Sequence, residues 1–157
     1  MNKKLAYSLS GIGLILALGL MYFNSEELRT ETNTSPEEST EPNEPAEKIQ
    51  IFVFHSTNRC PSCITIGQFA KKTLDQNFSN ETKSGKIEFR EINIDLPENK
   101  ELAKKFQAAG SSLFINSIVK EKDNIKEDVQ VWRMISNEKE FIAYLSEKIN
   151  KLLNKNG

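Results

Sequence analysis

Two cysteines, one histidine and one tryptophan occur in 157 residues. The scarcity is informative. Cys60 and Cys63 are the only thiols, so a Cys-x-x-Cys zinc half-site has no second half to complete it. His55 is the only other strong nitrogen ligand. Charge of one sign is also lacking: the formal net charge is −1, which gives no electrostatic reason to expect nucleic acid as a partner. The balance is uneven along the chain. Residues 1–47 hold three basic and eight acidic residues, leaving 18 basic and 14 acidic in 48–157. No internal repeat is present, and only one long apolar run exists.

That run, Leu5 to Phe23, follows Lys3 and Lys4. Nineteen helical residues rise roughly 28 Å, close to the hydrocarbon core of a bilayer. Lysines before the run and Glu26 and Glu27 after it predict a cytoplasmic N-terminus with the rest outside. The run exceeds a usual signal core and no small-x-small site follows Phe23. Residues 1–23 are therefore read as an uncleaved membrane anchor rather than a signal peptide. Residues 24–47 are rich in Pro, Glu, Ser and Thr and nearly free of apolar side chains. Such a segment cannot offset its ordering entropy and reads as a disordered acidic linker, either a tether or a plain spacer.

Residues 48–157 read as one α/β domain. Ile49 to Phe54 is almost continuously apolar, as in a strand buried on both faces. A short polar loop follows, then Cys60-Pro61-Ser62-Cys63 opening a helix with Ile66, Ala70, Leu74 and Phe78 on one face. Asn80 to Lys86 interrupts. Ile87 to Ile94 is a second strand, whose phase shift after Phe89 predicts a bulge or a change of buried face. Asp95 is the expected cap of a helix carrying Leu102, Ala103, Phe106 and Ala109, ended by Gly110. Leu113 to Val119 is a third strand and Lys120 to Glu127 a polar turn. Val129 to Met134, including Trp132 in a packing role, is a fourth strand. Ser136 or Asn137 caps a last helix with Phe141, Leu145, Ile149 and Leu152. The order β-α-β-α-β-β-α predicts a mixed sheet flanked by helices.

A cysteine at a helix N-terminus meets free N–H groups and the positive end of the macrodipole, both of which favour thiolate. Cys60 is therefore the expected attacking residue and Cys63, one turn on, the resolving one. Arg59 adds positive charge, and Pro61 suits the first helical position, where no N–H is needed. The bland alternatives are a metal or metalloid site and an inert structural disulfide. A bridge across so short a loop is a poor staple. His55 stands either as proton acceptor for Cys63 or as a strand-end histidine with a satisfied ring.

The element order, with Cys-x-x-Cys after the first strand, resembles a thioredoxin fold over residues 48–154. Ile92-Asn93-Ile94-Asp95, followed by a proline and a helix, resembles the corresponding thioredoxin segment. A closer resemblance is to a small thioredoxin-like family named nitrophenyl compound nitroreductase subunit, ArsF type. The matching residues are Phe54-His55, Arg59-Cys60-Pro61-Ser62-Cys63, Ser112-Leu113 and Trp132, in that order. The likeness implies a CcdA-like membrane electron donor, and Arg59, Pro61 and Ser112 as the residues that meet substrate. Three positions depart from thioredoxins. Ser112 stands where they carry a cis-proline, Arg59 replaces an aromatic residue, and Phe54 replaces a buried acid. Ser112 is then either a hydrogen-bond partner for a sulfur or an ordinary loop serine.

The expected activity is extracytoplasmic thiol–disulfide exchange on a protein or small oxidised substrate, with no cofactor beyond the dithiol. A reductant fed across the membrane is preferred over an oxidant. The alternatives are a vicinal-dithiol module binding soft metals or arsenicals, and a redox-inert assembly domain.

Overall fold

The computed structural model describes residues 44–154. The expected anchor, residues 1–23, and the expected linker up to residue 43 lie outside the described residues. Among the described residues, no helix is long and apolar enough to cross a membrane. Residues 44–47, expected to close the linker, are packed on the domain. Ala46 is buried, its N–H donates to the Leu152 carbonyl, and Glu44 pairs with Lys120.

Four strands form one mixed sheet in the order β2-β1-β3-β4. The strands are β1 (Lys48–His55), β2 (Ile87–Asn93), β3 (Ser112–Val119) and β4 (Lys122–Glu127). β1 is parallel to β2 and antiparallel to β3, which is antiparallel to β4. The helices are α1 (Pro61–Asn77), the short α2 (Ser79–Lys83), α3 (Lys100–Phe106) and α4 (Glu138–Leu152). The fold is α/β, with helices on both sheet faces.

The near-continuous apolar run of β1 explains its central place. Ile49, Ile51 and Val53 enter one core with Ile66, Ala70 and Leu74 of α1 and Phe141, Leu145 and Ile149 of α4. Phe52 and Phe54 enter a second core with Ala103 and Phe106 of α3 and Phe114 of β3. The phase shift in β2 is a change of face rather than a bulge. Pairing with β1 is unbroken from Ile87 to Asn93, Ile87 and Phe89 pack on the first core, and Ile92 on the second.

Three sequence expectations are corrected. The fourth strand is Lys122–Glu127, and Val129–Met134 forms 3-10 turns instead. The supposed polar turn is a hairpin: Lys120 and Glu121, at φ 50° and 61°, form its two-residue connection, suited to the twist of the flanking strands. β4 escaped notice because polar bonds hold it. Buried Asn116 of β3 donates to Gln50 of β1 and Asp123 of β4, and accepts from the Asn124 N–H. Apolar alternation is not needed for such a strand. Second, Asp95 does not cap a helix; Leu96 precedes the 3-10 turn Pro97–Asn99 that leads into α3. Third, α3 ends at Phe106, with Gln107 in the left-handed region, and so stops before Ala109 and Gly110. Asn137 caps α4, its side chain accepting from the Glu140 N–H.

Candidate functional site

β1 delivers the cysteine pair. Its last residue, His55, pairs with Asn93 of β2, and Phe54 pairs with Ser112 at the start of β3. His55, Ser112 and the loop leading to Cys60 therefore meet at one end of the sheet, the C-terminal end of β1 and β2. In open α/β sheets this end collects binding groups.

The loop before the cysteines is held by β2. The Asp95 carboxylate accepts from the Thr57 N–H at 2.7 Å. Asn93 Nδ2 donates to Thr57 Oγ1 at 3.1 Å, and Asn93 Oδ1 accepts from the Asp95 N–H at 3.0 Å. The Thr57 bonds hold the Asp95 carboxyl below its usual range, the backbone N–H contributing most. Asp95 and Asn93 thus anchor the approach to the cysteines, a role not evident from the sequence. The Asn-x-Asp pattern is visible in the sequence, where Asp95 suggests a helix cap instead.

Cys60 and Cys63 are joined in a disulfide. Cys60 is the N-cap of α1 and is exposed. The Cys63 N–H donates to Cys60 Sγ at 3.2 Å, which satisfies one free helix donor with a sulfur acceptor. Cys63 is 8% exposed. Of the two residues, Cys60 is exposed and Cys63 buried. Pro61 takes the first helical position, as expected.

His55 is half-buried, and its Nδ1–H donates to the Ser56 carbonyl at 2.9 Å. That bond occupies Nδ1. Ser112 is 6% exposed; its hydroxyl donates to the Gly110 carbonyl at 3.2 Å. It opens β3 rather than lying in the preceding loop, and no cis peptide bond occurs among the described residues. Arg59 is not free to greet a substrate. Its Nη1 sits 2.6 Å from Glu91 Oε2 and its Nη2 donates to the Cys63 carbonyl at 3.3 Å. Glu91 is an exposed residue of β2 that the sequence alone does not single out. Among the described residues no group of three or more His, Cys, Asp or Glu side chains is arranged to hold a metal ion.

Comparison with known proteins adds little to this geometry. No family model matches the chain, and no curated protein matches it. One solved structure, described as "Structure of a malarial protein", aligns over 52% of this chain and 81% of its own, with 14% identity and a TM-score of 0.36. A likeness that distant carries no argument about fold or activity.

Proposed function

We propose that residues 44–154 form a thioredoxin-like thiol–disulfide oxidoreductase domain, held outside the cytoplasm by the N-terminal segment. In this reading it works as a reductant recharged by a CcdA-like membrane partner. The observation that carries it is the unequal exposure of a joined cysteine pair: Cys60 open at the start of α1, Cys63 buried one turn behind. The strand order β2-β1-β3-β4 and the division of helices between the two faces support the fold assignment.

The reaction runs from the reduced pair. Cys60 thiolate, stabilised by the Cys63 N–H, attacks one sulfur of a substrate disulfide. The substrate S–S bond breaks, a mixed disulfide forms on Cys60, and the first substrate sulfur leaves as thiolate and takes a proton. Cys63 loses its proton, with His55 Nε2 as the assigned acceptor, and attacks Cys60 Sγ. The second substrate sulfur departs. Two electrons have passed to the substrate, and the domain ends in the Cys60–Cys63 disulfide. A membrane dithiol donor returns the electrons by the same exchange in reverse.

Trapping tests this directly. Reduced full-length Cys63→Ser, mixed with glutathione disulfide, is expected to hold one glutathione on Cys60, while Cys60→Ser/Cys63→Ser holds none. Intact mass reads both. No adduct on the single variant refutes the oxidoreductase reading; tight arsenite or zinc binding by the wild-type dithiol would then favour the dithiol-binding alternative.

A further inference from the structure

Arg59 stands immediately before Cys60, where a free guanidinium would favour the thiolate. The structure shows that charge occupied elsewhere. Nη1 pairs with Glu91 of β2 at 2.6 Å. Nη2 donates to the Cys63 carbonyl at 3.3 Å, inside the first turn of α1. Gly67 makes the room. A β-carbon there would lie 3.2 Å from Arg59 Nη2 and from both Glu91 Cδ and Oε1. The two side chains are 23% and 33% exposed, so solvent screens the pair less than it would at an open surface. Arg59 Nε is buried without a partner, a cost accepted to reach Glu91.

We propose that Glu91 is a positioning residue for the redox couple. It fixes the Arg59 guanidinium along α1, cancels its charge, and thereby keeps the Cys60–Cys63 couple more reducing than the Arg-Cys-Pro-Ser-Cys sequence alone implies. This rests on the oxidoreductase reading and supplies its direction. Reduction of the pair adds two electrons and breaks the S–S bond. Cys63 takes a proton, and Cys60 keeps part of its population as thiolate. A net positive charge nearby stabilises that reduced form and makes the disulfide a stronger oxidant. With Glu91 in place the neighbouring net charge is close to zero. Without it, Arg59 acts on the sulfur unopposed.

A double-mutant cycle on the full-length chain tests this. Wild type, Glu91→Gln, Arg59→Gln and the double variant are equilibrated in glutathione redox buffers, and the dithiol fraction is read by alkylation and mass. Glu91→Gln is expected to shift the equilibrium about tenfold toward dithiol, a potential ~30 mV more positive. Arg59→Gln leaves Glu91 unopposed and is expected to shift it about threefold or more the other way. The double variant is expected to return within about threefold of wild type. A merely structural pair would lower thermal stability in all three variants without opposite shifts in potential. Single variants that move together, or that do not move, overturn the proposal. Should Glu91→Gln fail to fold, Arg59→Gln alone decides: an unchanged equilibrium, or one shifted toward dithiol, overturns it. A wild-type chain with no reversible couple overturns the oxidoreductase reading and this proposal with it. A reversible wild-type couple with unmoved variants overturns only the proposal.

Discussion

Asp95 shows how one carboxylate ties a loop to the sheet. It is exposed, yet the Thr57 N–H at 2.7 Å holds its charged form in preference to the acid. A carboxyl depressed in the fold contributes stability at pH values above its unfolded pKa. That contribution is lost as pH falls through the lower, folded value. The Thr57 amide proton resonance should therefore titrate with a midpoint below that of an ordinary aspartate, and Asp95→Asn should remove the titration. A midpoint at the ordinary value would mean the clamp is absent in solution. Residue chemistry also explains what was legible at the site. Cys60, Cys63 and Pro61 act through local position on a helix start, and their sequence spacing carries that information. Glu91, Gly67 and Asp95 act across the chain: Glu91 pairs with Arg59 32 residues away, Gly67 leaves room for Glu91 24 residues on, and Asp95 holds Thr57 38 residues back. Nothing in their immediate neighbours names those partners.

At the scale of elements, the β3–β4 hairpin and the last helix each offer a sharp test. Lys120 and Glu121 both adopt left-handed backbone conformations without being glycine or asparagine. Such positions cost about 1 kcal/mol or more for an ordinary residue. Glu121→Gly should therefore raise unfolding free energy by about 0.5–1 kcal/mol in urea. A loss would show that the Glu121 side chain contributes more than its backbone strain costs. The absence of Asn-Gly at this turn is also why the hairpin was placed too late in the chain. The segment that was mistaken for a strand, Val129–Met134, begins at a different anchor. Asp128, 2% exposed, accepts from the Gln130 N–H, from the Tyr144 hydroxyl at 2.9 Å and from Lys148 at 3.0 Å. Burial alone would lower the Lys148 pKa, but the bonds and charges of Asp128 and Tyr144 together outweigh it and the net shift is upward. Burial first, then Asp128, pushes the Tyr144 phenol up. Removing the acid strands both groups, so Asp128→Ala should cost about 3 kcal/mol. A cost under about 1 kcal/mol would place the network among ordinary surface pairs. Alternating Val129 and Val131 mimic a strand in the sequence, yet only Val131 is buried and Val129 is 55% exposed, so the two do not share one sheet face.

Among the described residues, 44–154, the domain is organised by β1. Its two apolar faces seed two cores, and its C-terminal end carries the cysteine loop between β2 and β3. Buried periodicity made β1, α1 and α4 readable from the chain, because each is held by apolar residues at fixed spacing. β4 and the true ends of α3 were not readable, being fixed by side-chain hydrogen bonds and backbone conformation. The same architecture that exposes Cys60 and covers Cys63 ties Arg59 to Glu91 on an edge strand. The redox poise of this pair therefore decides the direction of electron flow. The deciding measurement is the equilibrium reduction potential of the full-length chain in glutathione and dithiothreitol buffers. A reversible two-electron couple near about −270 mV, in the range of reducing thioredoxins, is the predicted result. A value near about −120 mV, that of a strong disulfide donor, would reverse the direction, and the lack of any reversible couple would contradict the account outright.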